Sequence, residues 1–118
     1  MSAEAAIWTV RLAGSAESDF ESILLWTLEH FGDVQAETYC ETLSAAVQTL
    51  IAGPEQPGIK ARPEIGRELF TLHVARNGRN GRHFVLFRVD ARPGNRQIDV
   101  LRILHDSMDL VRHVPEGE

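Results

Sequence analysis

The chain has 118 residues, of which 43% are hydrophobic and 25% are charged, a composition typical of one globular domain and too short for two ordinary ones. No apolar run approaches the roughly 18 residues that a membrane-spanning helix needs, and the amino terminus lacks the features of a signal peptide. The single Cys40 cannot form an internal disulfide and fits a reducing compartment. We therefore expect one domain, residues 1–118, in the cytoplasm.

Charge is distributed unevenly along the chain, although the net value is only -5. Residues 1–55 hold nine acids and one base, whereas the remainder holds eleven bases and eight acids. Eleven of the twelve bases are arginine, whose planar guanidinium suits carboxylates, phosphates and interfaces. The arginines of the second half therefore either form a functional basic surface or reflect a preference for arginine in the genome.

The first half of the sequence predicts one strand followed by two helices. Alternating residue types predict a strand over 6–12. Helical spacing of apolar residues predicts helices over 16–31 and 34–52, the first with a capping box formed by Ser18 and Glu21. Helices joined by about two residues must lie antiparallel.

The second half predicts strands after a loop rich in proline and glycine. The predicted strands cover 68–75, 82–90 and 96–104, and a short helix is predicted over 106–113. In the "RNGRNG" stretch, two Asn-Gly pairs indicate a hairpin turn with positive φ. The run "FVLF" indicates a central strand covered on both faces. The fold class is α+β, in the order β-α-α-β-β-β, with a helical hairpin on a small, mainly antiparallel sheet.

The carboxyl-terminal stretch places His105, Asp109 and His113 at i, i+4 and i+8 of the predicted helix. This spacing spans about 12 Å of helix axis, so the three side chains cannot ligate one ion together. We expect no metal and no cofactor.

Several motifs recur in a fixed order from Trp8 to His113. They are "A-x-x-D-F" at 16–20, "FGDVQAETY", "P-x-x-P-G" at 54–58, "GREL" at 66–69, "HFVLFRVD" and "VLRILHDSMDLVRH". Each is weak alone, but together the sequence resembles the ParE branch of the RelE/ParE superfamily of type II toxin-antitoxin modules. The resemblance implies a toxin that forms a hetero-oligomer with its antitoxin, a DNA-binding protein of the ParD type. It also implies DNA gyrase as the target, bound and inhibited without chemistry.

RelE-like relatives instead cleave messenger RNA on the ribosome, and that activity is the alternative function. In that branch the central strand usually carries an arginine that stabilises phosphate charge, where this sequence has Phe84. A tyrosine near the carboxyl end is also missing, because the only tyrosine, Tyr39, lies on the apolar stripe of the second helix. If the chain were a ribonuclease, its candidate catalytic residues would be His83, Arg88, Arg102 and His105.

For the binding function, we predict contacts on the sheet face opposite the helices, where Arg88, Arg102 and His73 would lie beside apolar residues. The predicted antitoxin or target contacts are Arg67, Arg82, Arg88, Arg102, Met108, Leu110 and Arg112. Direct nucleic-acid binding is a weak alternative, because the strands lack the exposed aromatic pairs of an RNA-binding sheet. The sequence alone does not separate a gyrase inhibitor from a toxin that has lost activity.

Overall fold

A computed structural model describes residues 7–90, 92 and 94–108. Its elements are β1 (Thr9–Leu12), α1 (Gly14–Phe31), α2 (Asp33–Thr49), β2 (Lys60–Ala61), β3 (Leu69–His73), β4 (His83–Asp90) and β5 (Gln97–His105), with a 3-10 turn at Leu50–Ala52 after α2. None of the helices in these ranges is long and apolar enough to cross a membrane.

The five strands form one mixed sheet in the order β1-β5-β4-β3-β2. The first strand pairs in parallel with β5, and the three other pairings are antiparallel. The predicted α+β architecture, a helical hairpin on a mainly antiparallel sheet, is thereby confirmed. The short β2 lies inside the segment predicted as a loop and pairs with β3 through Lys60 opposite Thr71.

The first helix begins earlier than the capping box predicted. It starts at Gly14, after Ala13, and no side chain caps it. Ser18 and Glu21 therefore lie inside the helix, and their assignment as its amino-terminal cap was wrong.

Both faces of β4 are buried, as its "FVLF" run predicts. Val85 and Phe87 join the main core, where α2 contributes Leu43 and Ala46. On the other face, Phe84 packs in a smaller cluster with Leu86 and Leu104, and Ile65 packs against them. Alternate side chains of one strand thus hold two apolar layers together.

The final strand runs further than predicted, through His105. A strand does not place residues four apart on a common helical face, so the predicted helical alignment of His105 with Asp109 and His113 was wrong. Asp106 and Ser107 form a turn, and the rest of the predicted helix, residues 109–113, lies outside the described residues.

A carboxylate on α1 joins the helical layer to β5. Asp19 accepts hydrogen bonds from Arg102 Nε at 2.7 Å, from Arg102 Nη2 at 3.0 Å and from the Ile103 backbone N–H at 2.9 Å. The pairing of β4 with β5 shifts register just before Arg102, since Phe87 lies opposite Val100 and Leu86 opposite Arg102. The hydrogen bonds to Asp19 raise the pKa of the Arg102 guanidinium.

We expect Asp19→Asn to lower the free energy of unfolding by about 1–3 kcal/mol, because it weakens a charged pair and leaves donors of Arg102 poorly satisfied. Urea denaturation measures the change. Glu29→Gln is the control, because Glu29 lies exposed on the same helix and should change stability by less than about 0.5 kcal/mol. Equal effects of the two substitutions would contradict a structural role for Asp19.

Candidate functional site

An open groove of about 820 Å³ lies between the helical hairpin and the β3–β4 hairpin. One wall is largely apolar and the other carries basic and polar groups. The groove is lined by Ser22, Ile23, Trp26, Thr27, Phe31, Gln35, Thr38, Tyr39, Thr42, Gly78, Arg79, Asn80, Gly81, Arg82, His83 and His105. We call this feature the hairpin groove.

Gly81 allows Tyr39 to approach the β3–β4 hairpin closely. A Cβ at position 81 would lie 2.7 Å from the Tyr39 hydroxyl and 2.6 Å from Val74 Cγ2. Only the first Asn-Gly pair has positive φ, 53° at Asn77 and 82° at Gly78. The predicted turn role of the second pair was therefore wrong, and Gly81 is instead required by packing against Tyr39.

Tyr39 and two histidines form a hydrogen-bonded cluster in the hairpin groove. The Tyr39 hydroxyl accepts a hydrogen bond from the Arg82 backbone N–H at 3.2 Å and lies 2.7 Å from His83 Nδ1. In the tautomer of neutral His83 that carries its proton on Nε2, Nδ1 accepts a hydrogen bond from this hydroxyl. His83 also packs edge-to-face against His105, with ring centroids 5.3 Å apart.

Burial and charge shift the ionisation of this cluster. Desolvation, followed by repulsion from His105, lowers the pKa of His83 to about 4. Desolvation also raises the pKa of Tyr39. Both side chains are therefore neutral at physiological pH, and the cluster presents hydrogen-bonding groups rather than fixed charge.

Asp106 ties together the ends of three strands next to this cluster. His73 Nε2 donates to its carboxylate at 3.0 Å, Arg82 Nε donates at 3.3 Å, and its backbone N–H donates to the Arg82 carbonyl at 2.7 Å. Hydrogen bonds from His73 and then Arg82 lower the pKa of Asp106 to about 2. The carboxylate therefore stays ionised and fixes the chain as it leaves β5.

The four residues proposed as a ribonuclease set do not come together. His83 and His105 are register partners. Arg88 lies five residues along β4 from His83, roughly 16 Å in an extended strand, and opposite Asp99. Arg102 is held by Asp19. The structure thus places the two histidines beside Tyr39 and separates them from Arg88, while Arg102 is paired with Asp19.

The predicted contact residues are spread over several parts of the surface. Arg82 lines the hairpin groove, Arg67 is exposed before β3, and Met108, 43% exposed, follows β5. Leu110 and Arg112 lie outside the described residues. The strand registers place Arg88, Arg102 and His73 on the sheet face of Phe84 and Leu86. On that face Arg102 pairs with Asp19 of α1 and Ile65 packs against the apolar residues, and the arginine-lined groove expected there stays a prediction.

Sequence reasoning missed Tyr39 and Asp106 as members of the cluster. Tyr39 fits the apolar stripe of α2, and its ring does pack against the main core, so periodicity gave no sign of the hydroxyl's partner. Gly81 gave no sign of it either, because an Asn-Gly pair between two strands predicts a turn. No group of three potential metal ligands occurs within the ranges that the structure describes.

His83 should make stability depend on pH. Its folded pKa of about 4 lies below the ordinary value near 6.5, so the unfolded chain binds the extra proton first and stability falls as pH drops from about 6.5 towards 4. His83→Gln should reduce this fall by roughly 1 kcal/mol between pH 6.5 and 5, allowing for solvent screening of a half-exposed ring. Urea titrations at both pH values measure the difference, and parallel curves for the two proteins would contradict it.

Two curated relatives align with most of this chain. It is 28% identical over 104 residues to Toxin ParE1 of Caulobacter vibrioides, covering 88% of this chain and 95% of that protein. It is 31% identical over 104 residues to Toxin ParE1 of Mycobacterium tuberculosis, covering 87% and 94%.

Solved structures share the fold. A chain of the chromosomal ParDE system from P. aeruginosa superposes with a TM-score of 0.66 at 20% identity, covering 85% of this chain and 97% of that one. A chain of the RelBE2 toxin-antitoxin complex from Mycobacterium tuberculosis gives 0.54 at 20% identity, covering 86% and 94%. The family model described as "ParE toxin of type II toxin-antitoxin system, parDE" matches residues 10–110. The chain therefore belongs to the ParE toxin family of type II toxin-antitoxin systems.

Proposed function

We propose that this toxin acts in the cytoplasm by binding and inhibiting DNA gyrase, and that an antitoxin of the ParD type neutralises it by occupying the hairpin groove. The observation that carries the binding mechanism is the groove itself, an open, partly apolar concavity suited to a protein segment. Membership of the ParE family supports gyrase as the target.

The apolar wall of the groove has the properties of a protein interface. Trp26 and Phe31 are 53% and 60% exposed, which is unusual for large aromatic side chains on a small domain. His30 stacks on Trp26 with ring centroids 4.0 Å apart, and its Nδ1 donates to the Trp26 carbonyl at 2.8 Å. A tryptophan held this way loses little conformational freedom on binding and suits an anchor position.

In a RelE-type ribonuclease, position 84 is expected to hold an arginine that stabilises phosphate charge. The residue present here favours a binding function over catalysis. Phe84 is only 7% exposed and packs with Leu86 and Leu104. An apolar ring in that place cannot stabilise the charge of a transferring phosphoryl group. Arg67, Arg88 and Met108, with Leu110 and Arg112, remain proposed contacts for gyrase or antitoxin.

One observation favours the alternative function, a RelE-type ribonuclease. His83, His105 and Tyr39 are adjacent, and neighbouring histidines can act as base and acid in transfer of a phosphodiester. Against it, the guanidinium of Arg102 is already paired with the Asp19 carboxylate.

A paired assay distinguishes the two functions. Toxin freed from its antitoxin is added to gyrase with ATP and relaxed plasmid, and in parallel to ribosomes programmed with messenger RNA. We expect loss of supercoiling or trapped double-strand breaks, with intact RNA. Cut RNA with normal supercoiling would establish the ribonuclease instead, and no effect in either assay would indicate an inactive toxin.

Trp26→Ala should weaken antitoxin binding at least tenfold, since truncating a central aromatic anchor costs about 2 kcal/mol or more. Leu25→Ala is the matched control. Leu25 is 56% exposed on the same helix but does not line the groove, and its truncation should change affinity less than threefold. Isothermal titration calorimetry of both folded variants gives the comparison. Similar losses in the two variants would move the antitoxin interface out of the groove.

A further inference from the structure

The lining of the hairpin groove is basic, although the two helices that form one of its walls carry exposed acids. Exposed acids on α1 and α2 include Glu29, Asp33, Glu37 and Glu41. None of them lines the groove, whose described lining contains two arginines, two histidines and no carboxylate. The acids therefore face solvent elsewhere, and the groove interior is left with an excess of donors and positive charge.

Each groove histidine has a hydrogen-bond neighbour at Nδ1. The Tyr39 hydroxyl lies 2.7 Å from His83 Nδ1, and His105 Nδ1 accepts from the Ser107 backbone N–H at 3.2 Å and lies 2.8 Å from Ser107 Oγ. The backbone donor leaves the proton of a neutral His105 on Nε2, and a neutral His83 in the same tautomer accepts from the hydroxyl. Among the described residues, neither Nε2 has a hydrogen-bond partner.

Arg79 adds a cation to the same wall of the groove. Its Nη1 donates to Thr42 Oγ1 at 3.3 Å. Within the described ranges no carboxylate lies within ion-pair distance of its guanidinium, whereas the neighbouring Arg82 is paired with Asp106. Two imidazole N–H groups and a guanidinium thus line one groove whose described lining holds no carboxylate, with Asp106 beside the histidines, 3.7 Å from His105 Nδ1.

We propose that His83, His105 and Arg79 form a carboxylate-binding subsite that receives one Asp or Glu side chain of the antitoxin segment docked in the groove, and that docking takes up a proton at the histidine pair. The inference rests on the proposed antitoxin docking and deepens it. The opposite wall, with Ile23, Trp26 and Phe31, takes the apolar face of the same segment. A polyanionic nucleic acid fits less well, because the two helices that form one wall carry exposed acids.

Proton uptake follows from the surroundings of His83. In the free protein, burial and His105 oppose protonation. A carboxylate in the subsite supplies the opposite charge that stabilises an imidazolium, so the bound state holds the proton to higher pH and affinity rises as pH falls. The titratable and charged groups around His83 are Tyr39 from α2, Asp19 from α1, His73 from β3, Arg79 and Arg82 from the hairpin, and His105 and Asp106 from the end of β5.

Calorimetric titration of the full-length toxin with the antitoxin encoded beside it tests the subsite. Affinity is measured at pH 7.5, 6.5 and 5.5, and the number of protons exchanged is obtained from buffers of different ionisation enthalpy. We expect affinity to rise at least threefold between pH 7.5 and 5.5, within the limit of about tenfold per pH unit for one linked proton. The gain and the proton uptake should vanish in His83→Gln, His105→Gln, or the double variant, whichever of these is folded by circular dichroism.

His30→Gln is the control, because His30 does not line the groove and its loss should leave proton uptake unchanged. Neutralising the acids of the antitoxin segment one at a time should identify one whose loss also abolishes uptake. Tight binding without proton uptake overturns the subsite and leaves antitoxin docking intact. No binding at any pH overturns both. A labelled RNA or DNA oligonucleotide that binds the wild type but not the His83 and His105 variants overturns the carboxylate assignment.

Discussion

The arrangement of the molecule depends on the double burial of β4. Because this strand is central and its side chains alternate between two apolar clusters, it fixes the helical hairpin on one side and the β2–β3 connection on the other. Its first residue, His83, is thereby held at the edge of the core, where the ring is partly desolvated while one side of it still faces the groove. The lowered pKa of His83 is therefore a consequence of its position at the start of the apolar run of β4.

A second constraint sets how far the helices stand from the hairpin. Asp19 binds α1 to β5 near the bulged end of the sheet, while Tyr39 closes the distance between α2 and Gly81. Between these two points the walls diverge, and the exposed aromatic residues of α1 form one side of the opening. An apolar surface that would be unfavourable in an isolated monomer is consistent with a protein that is made together with a partner.

Local patterns predicted the elements well, because helical spacing and strand alternation reflect which face each segment buries. They failed for residues whose role is a contact with a residue far away in the sequence. The parallel pairing of β1 with β5 joins the two ends of the described sequence, and no local pattern encodes it. Gly81 follows an asparagine as turn glycines do, yet its role is set by Tyr39, 42 positions earlier in the chain. Likewise, Arg102 was assigned to an open surface because the sequence does not reveal that Asp19 reaches it.

The burial of Phe84 also limits which side chains position 84 can accept. A single change that introduces arginine there would place a guanidinium among Leu86, Leu104 and Ile65, where an unpaired charge costs several kcal/mol. The surrounding apolar layer would have to open before the new side chain could reach solvent. Position 84 is therefore closed to charged side chains unless its neighbours change first, so the core itself limits which groups this part of the sheet can present.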